Sequence, residues 1–198
     1  MSLSKAPLDQ EDQDAIILDA RHGEIGSLRE IFTTLIDPSL LPTCRDEDTG
    51  TTALHMAAGN GHIMVVQYLL SLLPDEDDRK EYVNAVNNTG NTALHWASLN
   101  GKLDVVKLLC DEYDADPFIR NQFGHDAIFE AENNGREEVE TYFLKKYDVE
   151  PENEEEDNGK TETADVEVTE GHEIEEVTKE ATEALKEETE KLNLNSSN

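Results

Sequence analysis

The sequence predicts an all-α solenoid of four stacked helix-turn-helix units, followed by an acidic C-terminal tail expected to be disordered. Three observations predict it. The stretch Gly90 to Leu109, GNTALHWASLNGKLDVVKLL, has a close copy forty positions earlier at Gly50 to Leu70, GTTALHMAAGNGHIMVVQYLL, and self-similarity of this size marks a repeat architecture. Gly23, Gly61, Gly101 and Gly135 each close one apolar helical pattern just before a second begins. Glycine suits that place because it enters the left-handed region without a Cβ clash. From Asp148 the composition changes abruptly, with nineteen Asp and Glu against four Lys and Arg as far as Asn198.

Taken in order, residues 1–11 are polar, contain Pro7, and are expected to be loose. The repeat domain is expected over 12–147, with units at about 12–36, 48–73, 87–113 and 121–147. In the first unit Ile16, Ile17 and Ala20, then Leu28, Ile31, Phe32 and Leu35, recur at the three and four spacing of helices buried on one side. Second helices follow at Ile25 to Leu35, Ile63 to Leu72, Leu103 to Leu109 and Val139 to Leu144. Their pairs Val65-Val66, Leu69-Leu70 and Val105-Val106 are expected to fill the seams between units.

The turn glycines are spaced 38, 40 and 34 residues apart. The excess falls in Asp37 to Asp48 and Pro74 to Lys80, read as loops on one face. The run Asp75 to Asp78 lacks the Gly at the sixth place and the Glu at the twelfth that a calcium loop needs, so it reads as a solvated loop. In the tail, 148–198, the region Glu150 to Thr169 has too few apolar groups to offset its ordering entropy. Ile174, Val177, Ala181, Ala184, Leu185 and Leu192 return to helical spacing. They form a candidate amphipathic helix over 173–192, marginal unless a partner supports it.

The formal net charge is −30, half of it in the tail. With no basic stripe to release counterions from phosphates, nucleic acid is not an expected direct partner, and a basic protein is. No run of about eighteen apolar residues suggests a membrane partner, and the N-terminal stretch lacks the basic and apolar regions of a secretory signal. Cytoplasm and nucleus are the expected compartments. Cys44 and Cys110 are too few for a disulfide framework, and Cys110 reads as a small core residue. The acceptor patterns at Asn87 and Asn195 read as chance matches.

No Gly-rich phosphate loop, H-E-x-x-H, or Ser-His-Asp order appears, so neither catalysis nor a cofactor or metal is expected. His55 and His95 each stand alone, without a metal ligand at suitable spacing. They read as rings bridging backbone groups of the inter-repeat turn, since a buried His must satisfy its polar atoms. Trp96 shares its place with Leu18 and Met56. A lone Trp invites a ligand-stacking role, but three apolar residues at equivalent places favour core packing. Glu130 takes that place in the last unit, as a capping substitution or an acidic contact.

The phrase T-A-L-H-x-A at Thr52 and Thr92, followed by x-N-G and V-V-x-x-L-L, resembles the ankyrin repeat, with Ala53 and Ala93 where that signature usually has Pro. The outer units are looser, as terminal repeats with one uncovered face are expected to be. The fold class is thus an ankyrin-repeat solenoid. Four small units, two enlarged links, the ending FIRNQFGHDAIFEAE and the acidic tail together are similar to the small fungal ankyrin chaperones of the small-subunit ribosomal protein S-three. That resemblance implies a partner: a newly made basic ribosomal protein, kept soluble and shielded from RNA until it joins the pre-ribosome. A monomer forming a one-to-one complex is expected. The alternative is a generic ankyrin adaptor for histones or a transcription regulator, since fold alone does not choose.

The resemblance also implies where binding occurs, at the hairpin tips and just before the turn glycine. Those positions are Arg21 and His22; Asp48, Thr49, Thr51 and Asn60; Asn88, Thr89, Asn91, Leu99 and Asn100; and Gln122, Phe123, His125, Asn133 and Asn134. Leu99 and Phe123 are apolar where polarity would be harmless, which suits anchors for an amphipathic helix. Packing of Phe123 beneath the last hairpin is the competing reading.

Overall fold

Thr92 shows how the repeated phrase starts a helix. Its backbone is extended, its hydroxyl accepts from the His95 N–H at 3.3 Å, and His95 Nδ1 accepts from the Thr92 N–H at 3.1 Å. This is a reciprocal capping box with His in the usual Glu position. The same arrangement opens the second unit at Thr52 and His55.

The computed structural model describes residues 3–147. Four helix pairs follow one another: α1 (Gln10–His22) with α2 (Ile25–Glu30), α3 (Ala53–Asn60) with α4 (Ile63–Ser71), α6 (Ala93–Leu99) with α7 (Leu103–Glu112), and α8 (Ala127–Asn133) with α9 (Glu137–Tyr147). Between the second and third pairs lies α5 (Glu76–Val83). First helices pack in the order α1, α3, α6, α8 and second helices in the order α2, α4, α7, α9. The described residues therefore form a two-layered stack. The expectations for 148–198, including the helix at 173–192, fall outside the described residues.

The core runs along the seam between the layers. Leu54, Ala57, Leu94 and Ala97 enter it from first helices, and Val65, Val66, Leu69, Val105, Val106 and Leu109 from second helices, all at most 1% exposed. Gly61 ends α3 at φ +84°, where its N–H reaches back to the carbonyls of Ala57 and Ala58.

Three expectations about the connections change. The link read as a solvated loop at Asp75 to Asp78 is the start of α5. Asp75 caps it by accepting from the N–H groups of Asp77 and Asp78 at 3.0 and 3.2 Å, and Glu76, Asp77 and Asp78 complement the positive end of its dipole. Tyr82 and Val83 then bury against the stack. The other link contains a short 3₁₀ helix, Pro38–Thr43, capped by Asp37. Residues 4–9 are tied down: the Ser4 N–H donates to Leu35 O, the Asp37 N–H donates to Ser4 O, both at 2.9 Å, and Asp9 caps α1.

A candidate partner-binding groove

The outer face of the first helices is built by one position in each unit. In the phrase T-A-L-H-x-A, the Leu and final Ala fall one turn apart on the core side, and the x residue projects about 100° away. The row is Leu18, Met56, Trp96 and Glu130. Leu18 is 50% exposed, while Met56 and Trp96 are mostly covered without being fully buried. Core packing was expected for Trp96. The structure leaves it at the edge of the stack, packed on His55 and Gly59 but not fully buried, because helices of seven or eight residues give their core-facing positions to Leu and Ala.

Trp96 meets His55 edge-on, with ring centroids 5.7 Å apart and an interplanar angle of 76°. Gly59 makes the room: a Cβ there would lie 3.3 Å from both Cβ and Cε3 of Trp96. The indole separates two open cavities. One, of about 260 Å³, is lined by Asn91, His95, Trp96, Leu99, Asn100 and Glu130. The other, of about 430 Å³, lies among Arg21, Met56, Asn60, Trp96 and Lys102.

Glu130 is nearly buried at the end of the row. Its Oε1 accepts from Asn121 Nδ2 and pairs with His125 Nδ1, each at 3.2 Å, while Oε2 has Asn134 Nδ2 at 3.4 Å. His125 stacks obliquely on Phe129, centroids 4.1 Å apart.

The two signature histidines hold the groove's wall as expected. His55 Nδ1 accepts from the Thr52 hydroxyl at 2.8 Å and Nε2 donates to Asn91 O at 2.8 Å. His95 repeats this with Thr92 at 2.8 Å and with His125 O at 3.2 Å. Burial pushes the His55 ring down to about 4 and lowers His95 as well, so both rings are neutral links between units.

The hairpin tips form a stitched line beside this row. The Asn88 N–H donates to Thr49 O at 2.8 Å and the Gln122 N–H to Thr89 O at 3.0 Å. Side chains add to it, with Asn88 Nδ2 on Asp48 O at 2.9 Å and Gln122 Nε2 on Asn88 O at 2.7 Å. Asn88 and Gln122 are therefore partly committed to joining the units. Asn60, Asn100 and Asn134 each donate to a carbonyl four residues back, at 2.8 to 2.9 Å, closing their helices.

Of the expected positions, Leu99 and Asn100 border the cavity with Trp96, and Arg21 and Asn60 border its neighbour. His22, Asp48, Thr49, Thr89 and Asn133 are exposed, Asn91 and His125 partly so. Phe123 is 71% exposed and does not pack beneath its hairpin. Thr51 is a correction: it is 1% exposed and its hydroxyl is held by Thr49 Oγ1 at 2.8 Å, so it supports the tip and offers no contact surface. Met56, Trp96, Glu130 and Phe129 complete the face and were not among the sixteen. The signal that could have found Met56, Trp96 and Glu130 is the period of the phrase itself, which leaves x outside the apolar stripe; Phe129 stands at the His place, which the period does not mark.

Cys44 and Cys110 are buried, and burial raises their thiols to about 12 and about 11. Among the described residues no group of three or more His, Cys, Asp or Glu could hold a metal ion, and no helix is long and apolar enough to cross a membrane.

A family model described as ankyrin repeats in three copies matches residues 17–121. The fourth helix pair, α8 and α9, lies beyond that match. The chain is 68% identical to the ankyrin repeat-containing protein YAR1 of Saccharomyces cerevisiae, across 98% of this chain and 99% of that one. An ankyrin repeat-containing protein of Schizosaccharomyces pombe is 43% identical over 58% of this chain and 75% of its own length. Among solved structures, a chain in the crystal structure of the yeast ribosomal protein Rps3 in complex with its chaperone Yar1 superposes with a TM-score of 0.71. It is 72% identical, with 74% of this chain and 99% of that chain covered. This chain therefore belongs to the ankyrin-repeat family and is a homologue of yeast YAR1.

Proposed function

We propose that this protein is a non-catalytic chaperone that holds the basic ribosomal protein Rps3 of the small subunit, keeping it soluble and away from RNA until it enters the pre-ribosome. The observation that carries this reading is the 68% identity, across nearly the whole of both chains, to YAR1, together with the solved complex in which a chaperone of that name binds Rps3. Identity at that level preserves the fold, so a shared client is the simplest inference.

The groove supplies the grip. Its apolar floor of Met56, Trp96 and Leu99 suits an amphipathic segment, with Phe123 and the exposed tip residues as further contacts. The net charge of −30 favours encounter with a basic client and competes with RNA for it. The described residues offer one such groove, which suits a monomer that holds one client in a one-to-one complex. Cytoplasm and nucleus are its proposed sites of action.

The test is co-purification at physiological salt, followed by light scattering of recombinant Rps3 with and without this protein. Enrichment of Rps3 and suppression of its aggregation are expected. Recovery of histones or transcription regulators with no Rps3 would overturn the reading in favour of a general adaptor.

A further inference from the structure

We propose that the cavity between Trp96 and Glu130 is a receptor for one arginine side chain of the bound partner. The inference rests on the basic-client reading and deepens it, since it names the group that the groove selects.

Three features converge on a cation with an apolar stem. The first is an unfilled carboxylate. Glu130 is only 9% exposed, yet its Oε2 has a single polar contact, Asn134 Nδ2 at a long 3.4 Å. Among the described residues its only basic partner within salt-bridge distance is the His125 ring, and that sits on the other oxygen. A nearly buried carboxylate with free lone pairs is where a guanidinium forms its strongest hydrogen bonds.

The second is the wall. Trp96 and Leu99 line the same cavity of about 260 Å³. An indole favours a cation near its face and, with Leu99, gives the methylene stem an apolar track. Asn100 completes the rim with an amide oxygen that can accept a remaining N–H donor, beside Asn91, whose Oδ1 already accepts from Asn121 Nδ2 at 2.8 Å.

The third is the contrast across the indole. The neighbouring cavity is bordered by Arg21 and Lys102, with no carboxylate among its lining residues. A basic side chain entering the groove is therefore drawn to one side of Trp96 and repelled from the other. That contrast fixes the direction and register of the partner, a specificity that overall negative charge cannot provide.

Trp96 is the only tryptophan in the chain, so the test can watch this site alone. The full-length protein, labelled with 5-fluorotryptophan, is titrated with recombinant Rps3. Affinities are measured in parallel for Glu130→Gln and Trp96→Leu. The proposal expects the single fluorine resonance to shift on binding and each substitution to weaken binding about tenfold, as loss of a charge-assisted hydrogen bond or a cation–π contact does. If the native protein binds but the resonance stays in place, or both variants bind within twofold of it, the pocket assignment is overturned and the client reading stands. If the native protein forms no complex with Rps3, the client reading falls and the pocket with it. Circular dichroism monitors folding. Should Glu130→Gln unfold, Trp96→Leu decides on the same thresholds.

Discussion

Acidification from pH 7.5 to pH 5 is expected to lower the stability of the repeat stack by about 2 kcal/mol through His55 alone. The ring is 1% exposed and wedged between units, with Nδ1 accepting from Thr52 and Nε2 donating to Asn91 O. Burial holds its folded pKa down at about 4, whereas the unfolded chain keeps an ordinary value of about 6.5. Below pH 6.5 the unfolded state therefore binds more protons, and stability falls as pH falls. The gap corresponds to about 3.4 kcal/mol when fully expressed below pH 4, of which about 2 is lost by pH 5.

His95, lowered by burial too, moves in the same window and sense, while the other shifted groups move outside it. Hydrogen bonds from Ser39, Thr49 and Lys146 hold the carboxyls of Asp37, Asp46 and Asp111 below 3.8, so what they contribute is lost only at lower pH. Relief of acidic self-repulsion stabilises the fold as pH falls, so the comparison must be internal. Urea midpoints at pH 7.5, 6 and 5, followed by Trp96 fluorescence, are measured for the native protein and His55→Gln. The variant is less stable throughout but should lose most of the slope, keeping the share that His95 carries. Equal slopes in the two proteins would show that His55 does not carry the pH dependence.

Three further outcomes follow from the same geometry. Gly90 and Gly135 both take positive φ, at 80° and 63°, but a Cβ on Gly90 would lie 3.0 Å from Asn121 Cα and Gln122 N while one on Gly135 meets nothing within 4 Å. Urea titration should therefore show Gly135→Ala costing about 1–2 kcal/mol and Gly90→Ala costing more, because the third tip is pushed off the fourth. Phe123→Ser should leave the urea midpoint within about 0.5 kcal/mol yet weaken Rps3 binding, since the ring is 71% exposed. Deleting residues 148–198, which carry half of the net charge, should slow and weaken association at low salt while a specific complex survives at physiological salt; complete loss of binding by a folded deletion variant would show that the tail holds the client.

The parts of the fold that were legible were those governed by short-range chemistry. Thr52 and Thr92 at helix starts, the turn glycines, and the aliphatic pairs Val65-Val66 and Val105-Val106 each have one physical role, and it can be read from type and spacing. Trp96 was misread because hydrophobicity marks a side chain as apolar without saying which apolar surface it joins. In a helix of seven residues the core needs only Leu94, Ala97 and their neighbours, so the indole is left to form a floor. Asp75 to Asp78 looked like a loop by composition, but acidic residues after an Asp cap are also favourable at a helix start, and only the burial of Tyr82 and Val83 decides between the two. Thr51 was placed correctly at a tip, but its hydroxyl is taken by Thr49, a tertiary fact that no spacing carries. Glu130 became informative only when Asn121, His125 and Asn134 were seen to leave part of its carboxylate free.

In the proposed complex the first-helix groove, and not the acidic surface in general, holds the client. Isothermal calorimetry of Rps3 binding at 0.15 and 0.5 M salt tests this most directly, with the native protein, the groove variant Met56→Ser/Leu99→Ser, and Met64→Ser as a control. Met64 lies on α4 and is 60% exposed, so it matches the groove residues in character but not in place. Saturable binding that persists at 0.5 M salt, a loss of tenfold or more in the groove variant, and an unchanged affinity for Met64→Ser are expected. Binding that vanishes at 0.5 M salt and is indifferent to the groove substitutions would contradict this.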